Sequence, residues 1–130
     1  MNENDIRTLI PQTKFDTDRA EQVVAAGYPA IEPILPELLE WIQDCNWPVA
    51  QILAPFLGTI GTPLLPHIRR ILATDDDMWK YWTFTYLVQG SPDVAAALRE
   101  DLQRYADSPT PDEAAEGLSE IAQNILRDTR

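Results

Sequence analysis

The side chains that most often bind metals are scarce in this sequence. His67 is the one histidine and Cys45 the one cysteine, and they lie far apart along the chain. A zinc site needs clustered thiolate or imidazole ligands, such as two histidines one helical turn apart. The acidic run at 75–77 lacks the further spaced oxygen ligands and the glycine of a calcium loop. We therefore expect no metal ion and no cofactor.

The sequence gives little support for a catalytic site. A hydrolytic triad needs a nucleophile, a base and an orienting acid that converge in space. His67 is the only candidate base of the imidazole type and is predicted on a helix flank, and Ser119 is the only serine left as a nucleophile on a predicted helix. Carboxylate pairs such as Glu37 with Glu40 occur routinely on surface helices. The five glycines are isolated and form no phosphate-binding loop. Cys45 has no basic neighbour to activate its thiol. The sequence predicts a protein that is not an enzyme.

Tryptophan is the most informative residue type in the chain. Three of the four tryptophans fall on predicted packing faces, where core burial is expected: Trp41, Trp79 and Trp82. Trp47 stands in the first turn of its helix beside Asn46, where the indole would be partly exposed. Together with Lys80 it would form an aromatic and charged patch, which is a candidate binding surface.

An internal repeat organises these residues. The segment at 32–38, EPILPEL, returns thirty residues later at 62–68 as TPLLPHI, and a weaker third copy begins at Ser91. Thr110 with Glu113, and Asp18 with Glu21, fit capping boxes. Periodicity and caps predict helices at about 18–26, 47–60, 63–73, 76–89, 93–106 and 111–127. Because no alternating strand or hairpin signal is present, the predicted fold is all-α.

Helix pairs of about 30 residues stacked side by side make an α-solenoid of the HEAT type. We therefore expect an α-α superhelix of about three helix pairs plus a C-terminal helix, forming a single domain over residues 1–130. The repeat alignment places outward side chains of the second helices in equivalent rows: Glu37, Glu40, His67, Arg70, Ala97 and Glu100.

Composition restricts the partners. The chain has 130 residues, with 21 acidic against 10 basic side chains and a net charge of −11. Such a surface repels nucleic-acid backbones and anionic membranes, so neither is expected as a partner. The N-terminus lacks a secretory signal pattern, and no apolar run approaches the roughly 18 residues of a membrane span. A cytoplasmic monomer or weak homodimer is expected.

Three segments are distinctive in their residue order: LIPQTKFD at 9–16, WIQDCNWPVA at 41–50 and DDMWKYW at 76–82. Over about residues 6–105 the chain resembles a bacterial family of short HEAT-like-repeat proteins catalogued as a domain of unknown function. The resemblance implies a compact α-α superhelix in a cytoplasmic bacterial protein. It supplies no catalytic residue.

The leading functional hypothesis is a non-enzymatic protein–protein interaction module. Its candidate partner-binding residues are Glu37, Glu40, Asn46, Trp47, His67, Arg70, Lys80 and Glu100. One alternative is an immunity-type protein that neutralises a basic toxin, since complementary charge accelerates association. A more remote alternative is an enzyme of the HEAT-like DNA glycosylase type, which would need a basic concave channel that this acidic chain does not predict.

Overall fold

The computed structural model describes residues 2–129 as helices joined by short turns. Over these residues it contains ten α-helices and no strand, which confirms the all-α prediction. The helices are α1 (Glu3–Arg7), α2 (Thr17–Ala26), α3 (Leu35–Glu40), α4 (Pro48–Leu57), α5 (Leu65–Leu72), α6 (Asp77–Thr83), α7 (Pro92–Ala97), α8 (Arg99–Asp107), α9 (Pro111–Ala115) and α10 (Leu118–Asp128). Among the described residues no single helix is both long enough and apolar enough to cross a membrane. The pair formed by α4 and Thr62–Leu72 meets the length and hydropathy criteria only when the two are counted together.

The chain divides into two compact units, Met1–Leu57 and Gly58–Arg130. In the first unit α2 packs against α4, and α1 packs against a 3₁₀ turn at Glu32–Ile34. In the second unit α10 packs against α8 and also contacts α6. Each unit has its own fully buried apolar side chains, for example Val23 and Leu53 in the first and Leu102 and Ile125 in the second.

The two strongest copies of the sequence repeat have the same local structure. Each begins with a 3₁₀ turn, Glu32–Ile34 or Thr62–Leu64, and continues directly into α3 or α5. Proline is the second residue of all four segments, within the first turn, where its missing N–H would have no helical partner. Ile34 and its equivalent Leu64 are both fully buried. The third copy differs, because α7 starts at Pro92 without a 3₁₀ turn.

Two predicted helices are interrupted in the structure. The helix expected at 93–106 breaks at Leu98 into α7 and α8, and the one expected at 111–127 breaks at Gly117 into α9 and α10. Gly117 has φ +87°, and a Cβ there would lie 3.5 Å from Cε2 of Tyr81. The sequence did not predict either break, because the spacing of apolar residues continues through Leu98 and Gly117. The helix α1 was not predicted at all.

One of the two predicted capping boxes is present in the structure, and the other is not. Thr110 and Glu113 form the predicted reciprocal capping box at the start of α9. The box expected at Asp18 is wrong, because Asp16 is the N-cap of α2 and accepts a hydrogen bond from the Arg19 backbone.

Two tryptophans of the second unit are less buried than predicted. Trp79 and Trp82 are half-buried, although core positions were expected for both. The helix α6 continues at Phe84–Val88 as a π-helical segment. The full burial expected of this region is found at Phe84 and Thr83 instead, both of which are 0% exposed.

Candidate functional site

A surface groove in the first unit brings together three of the predicted site residues: Glu37, Glu40 and Trp47. We name it the Trp–Glu groove. Its volume is about 390 Å³, and its walls are formed by Ile10, Pro11, Gln12, Glu37, Glu40, Trp41, Gln43 and Trp47. The loop between α1 and α2 supplies one wall, and α3 with the turn that follows it supplies the other. Asn46, also predicted, is exposed beside Trp47 but does not line the groove.

The aromatic wall is a pair of tryptophans in edge-to-face contact. The ring centroids of Trp41 and Trp47 are 5.8 Å apart, and the ring planes meet at 74°. Nε1 of Trp41 donates a hydrogen bond to the Pro11 carbonyl at 3.1 Å. Both side chains are half-buried, so the partial exposure predicted for Trp47 is confirmed and the core position predicted for Trp41 is not. The pair is held in place and still presents aromatic surface to the groove.

The opposite wall depends on Asp16, whose carboxylate orders the loop. Its Oδ2 accepts hydrogen bonds from the Gln12 backbone at 3.0 Å and from Nη1 of Arg19 at 2.7 Å. The Arg19 guanidinium is the main reason that the pKa of Asp16 lies below its ordinary value. A further bond, from the Val49 backbone to the Lys14 carbonyl at 3.1 Å, ties the loop to α4. These bonds fix Pro11 and Gln12 against the tryptophans.

The acidic wall contains an incompletely satisfied carboxylate. Oε1 of Glu37 accepts a hydrogen bond from Nη1 of Arg7 at 3.2 Å. Its second oxygen, Oε2, is buried and accepts no hydrogen bond from any residue between 2 and 129. Glu40 is exposed at the end of α3. A buried acceptor without a donor is costly. Because Oε2 of Glu37 is enclosed, the exposed Glu40 is the carboxylate of this wall that is open to a ligand.

Cys45 lies in the turn between α3 and α4 and is buried, at 5% exposure. Burial, with a smaller effect from the neighbouring Asp44, raises the pKa of its thiol to about 12. Because the thiolate is the reactive form of cysteine, the raised pKa lowers the reactivity of the Cys45 thiol in the folded protein.

We expect Cys45 in the folded protein to resist alkylation by iodoacetamide at pH 8. The same thiol should be alkylated rapidly once urea has unfolded the chain, because it then returns to an ordinary cysteine pKa. Mass spectrometry of samples quenched over time measures both rates. Equal rates with and without urea would contradict the burial.

The second unit holds the other predicted site residues. His67 is half-buried on α5, as its predicted flank position requires, and its Nδ1 is hydrogen-bonded to Nη2 of the exposed Arg70. Glu100 is exposed on α8. Among residues 2–129 no group of histidine, cysteine or acidic side chains is arranged to hold a metal ion.

The exposed position predicted for Lys80 is wrong. It was expected to be exposed in a patch with Trp47, but it is buried, at 5% exposure. Its ammonium lies 3.5 Å from the Asp77 carboxylate and 5.9 Å from the centroid of the Tyr105 ring. The long aliphatic stem of lysine lets the residue pack against apolar surface while its charge is compensated. The proposed patch of Trp47 with Lys80 is therefore wrong.

The Lys80 side chain belongs to a structural cluster that sequence reasoning largely missed. Arg104 forms a bidentate ion pair with Glu113, with N–O distances of 2.5 and 3.0 Å, and its guanidinium lies 4.0 Å above the Tyr105 ring. The hydrogen bonds from Arg104 are the main reason that the pKa of Glu113 lies below its ordinary value. The capping box at Thr110 was the only feature of the sequence that pointed to this cluster. The ion pair of Arg104 with Glu113 joins α8 to α9.

Over residues 2–129 the protein is all-helical, and its first unit carries an aromatic and acidic groove. A family model described as "Domain of unknown function (DUF5071)" matches residues 9–126. The chain therefore belongs to the DUF5071 family, and every residue that lines the groove falls within the matched segment. A search of curated proteins gives no match.

Proposed function

We propose that this protein is a non-enzymatic module that binds a basic protein partner through the Trp–Glu groove. The observation that carries the proposal is the groove itself, in which the half-buried Trp41 and Trp47 share the walls with two acidic residues, Glu37 and Glu40. Tryptophan is enriched among the residues that dominate interface energies. A basic side chain of a partner would pair with the exposed Glu40 carboxylate while the indoles are buried.

The overall charge supports a basic partner. A net charge of −11 generates a field that attracts cationic surfaces and accelerates their association. Phe15 adds exposed aromatic surface to the same α1–α2 loop, with 68% of the residue accessible. Neutralisation of a basic toxin by an immunity-type protein is one form that this proposal can take.

The finer architecture belongs to the same proposal. We propose that the helix pairs stack as HEAT-like repeats in a bacterial, cytoplasmic protein. The shared path from 3₁₀ turn to helix, over residues 32–40 and 62–72, supports repetition of one structural unit.

The test compares two charge reversals that change the net charge equally. The groove variant carries Glu37→Lys with Glu40→Lys, and the control carries Asp18→Lys with Glu21→Lys, two exposed acids on α2 that do not line the groove. A partner obtained by co-purification from the native host is titrated against both variants by stopped-flow fluorescence. We expect the groove variant to lower the affinity at least about tenfold more than the control. The stability of the control should change by no more than about 1 kcal/mol, whereas the groove variant also loses the ion pair of Glu37 with Arg7.

Salt provides the second arm of this experiment. Association of the wild-type protein should slow as ionic strength rises, because the Debye length shortens to about 8 Å at 0.15 M. Equal effects of the two variants would show that the groove is not the contact surface. Association that does not respond to salt would contradict a basic partner.

A further inference from the structure

We propose that the Trp–Glu groove binds an extended, proline-containing segment of the partner, which packs proline rings against Trp41 and Trp47 and places a basic side chain at Glu40. The segment adopts the polyproline II conformation. This inference rests on the proposed function and names the kind of chain that the basic partner presents. It commits to this one occupant, and a helix or a second copy of the protein is an outcome of the test.

The two indole N–H groups of the groove differ in their hydrogen bonding. Nε1 of Trp41 donates to the Pro11 carbonyl at 3.1 Å. Nε1 of Trp47 donates to no residue between 2 and 129, and the atom is not enclosed by them. Because a buried indole N–H is usually paired, a ligand that covers Trp47 must bring an acceptor. A backbone carbonyl is such an acceptor.

The chain already contains the interaction that we infer. Pro11 is buried in one wall of the groove, and its carbonyl accepts the hydrogen bond from the Trp41 indole. A polyproline II segment offers the same acceptor to Trp47, because its backbone has no internal hydrogen bonds and its carbonyls remain available. Proline also has no N–H that would need a partner inside the groove. The preformed chain loses little conformational freedom on binding.

The walls of the groove argue against two other common ways of binding a peptide. Addition of a strand requires an exposed sheet edge, and residues 2–129 contain no strand. A helix lays its apolar face into a hydrophobic groove, whereas four of the eight wall residues here are polar or charged: Gln12, Glu37, Glu40 and Gln43. Aromatic-lined grooves are the sites at which polyproline II segments bind.

The charge of the groove calls for a basic residue beside the prolines. Glu40 is exposed and forms no ion pair with any residue between 2 and 129. Glu37 differs, because Arg7 pairs with it at 3.2 Å. A basic side chain at Glu40 would fix the direction of the bound chain, since complementary charges set the register of an interface. Water screens such an exposed pair, so its effect on affinity is modest.

The experiment uses three nine-residue peptides that are blocked at both ends. The parent peptide has two Pro-Pro pairs separated by one serine, so that prolines three positions apart share a face of a helix with about three residues per turn. A serine and then an arginine follow at each end, which serves either direction of binding. The second peptide has alanine in place of every proline, and the third has glutamine in place of both arginines.

Each peptide is titrated into the intact protein while the indole N–H signals are followed by NMR, and single tryptophan-to-phenylalanine variants assign these signals. We expect the Trp47 signal to move downfield, because its N–H gains an acceptor, and the Trp41 signal to shift less. The parent peptide should bind at least about tenfold more tightly than the alanine peptide, which has the same charge but is not preformed. It should bind about threefold more tightly than the glutamine peptide, which cannot form an ion pair with Glu40.

Variants test the indole and the carboxylate separately. Trp47→Phe keeps an aromatic ring but removes the N–H, and it should weaken binding of the parent peptide at least about threefold. Trp79→Phe is the matched control and should leave binding unchanged, because Trp79 is also half-buried but does not line the groove. Glu40→Gln should abolish the preference for arginine over glutamine, whereas Glu21→Gln, at an exposed position on α2, should leave it intact. Thermal unfolding of each variant confirms that it is folded.

The outcomes distinguish this inference from the proposed function. Equal binding of the parent and alanine peptides, no shift with any peptide, or shifts confined to Trp79 and Trp82 would overturn the inference. Tighter binding of the alanine peptide with a gain of helical circular dichroism would identify a helix as the occupant, and indole shifts that grow with protein concentration alone would identify a second copy. Either result would also overturn it. The proposed function stands without the inference if the groove reversal still weakens the complex with the basic partner more than the α2 reversal does.

Discussion

Replacing Phe84 with alanine should lower the free energy of unfolding by about 3–5 kcal/mol, which is the usual cost of deleting a fully buried aromatic side chain. Phe84 has an exposure of 0%. Its ring centroid lies 5.2 Å from that of Tyr105, in an edge-to-face arrangement at 79°. Truncation would remove this contact and leave a cavity between the π-helical segment and α8. Urea denaturation followed by far-UV circular dichroism measures the loss.

Phe15→Ala is the matched control, because it makes the same chemical change at a side chain that is 68% exposed. Its effect on stability should stay within about 0.5 kcal/mol, as for most surface substitutions. A loss of less than about 1 kcal/mol at Phe84, or equal losses at the two phenylalanines, would contradict the packing described for the second unit.

Glu113→Ala is expected to cost about 2–3 kcal/mol at pH 7. The Glu113 side chain is only 7% exposed, and it accepts two hydrogen bonds from Arg104 and one from the Thr110 backbone. Charged hydrogen bonds contribute about 1.5–3 kcal/mol and a helix cap about 1 kcal/mol. The expected cost is lower than the largest possible sum of these contributions, because the Arg104 side chain is 45% exposed and water screens its charge. The exposed Glu116, three residues further on, is the control for alanine substitution.

The stability contributed by Glu113 should depend on pH in a defined direction. The pKa of Glu113 in the folded protein lies below its ordinary value of 4.5, mainly because of the hydrogen bonds from Arg104. A lowered pKa means that the unfolded chain binds the proton first, so the stabilisation is complete above about pH 4.5 and declines as the pH falls through the folded pKa. The difference between wild type and Glu113→Ala should therefore be constant from pH 7 to 5 and shrink below 4.5. A difference that grows on acidification would refute the ion pair.

Local rules predicted much of the fold. The Thr110 capping box, the proline-led starts of the two repeat copies and the amphipathic helices depend on neighbours within a few residues, and the structure shows them. Lys80 depends on Tyr105, which lies far along the chain, and a one-dimensional pattern cannot show that a lysine stem packs there. The break at Gly117 was missed for a related reason, since the apolar periodicity continues across the left-handed glycine.

The groove was predictable only in part. The sequence singled out Glu37, Glu40 and Trp47 from their positions on helix faces and in a first turn, and the structure places all three in one groove. The opposite wall comes from Pro11 and Gln12, which were not candidates. Pro11 lies thirty residues before Trp41, whose indole donates to its carbonyl. The hydrophobic periodicity of a sequence cannot predict a hydrogen bond between residues thirty positions apart.

The two repeat copies share a backbone path but differ in the charge that they carry outward. Glu37 and Glu40 on α3 occupy the repeat positions that His67 and Arg70 occupy on α5. The apolar positions that set the path, such as Ile34 and Leu64, are buried in both copies, so the fold places little constraint on the outward residues. A repeated scaffold of this kind lets binding preference diverge without a change of structure, because the outward side chains of one copy can change in charge while its buried apolar residues keep their packing.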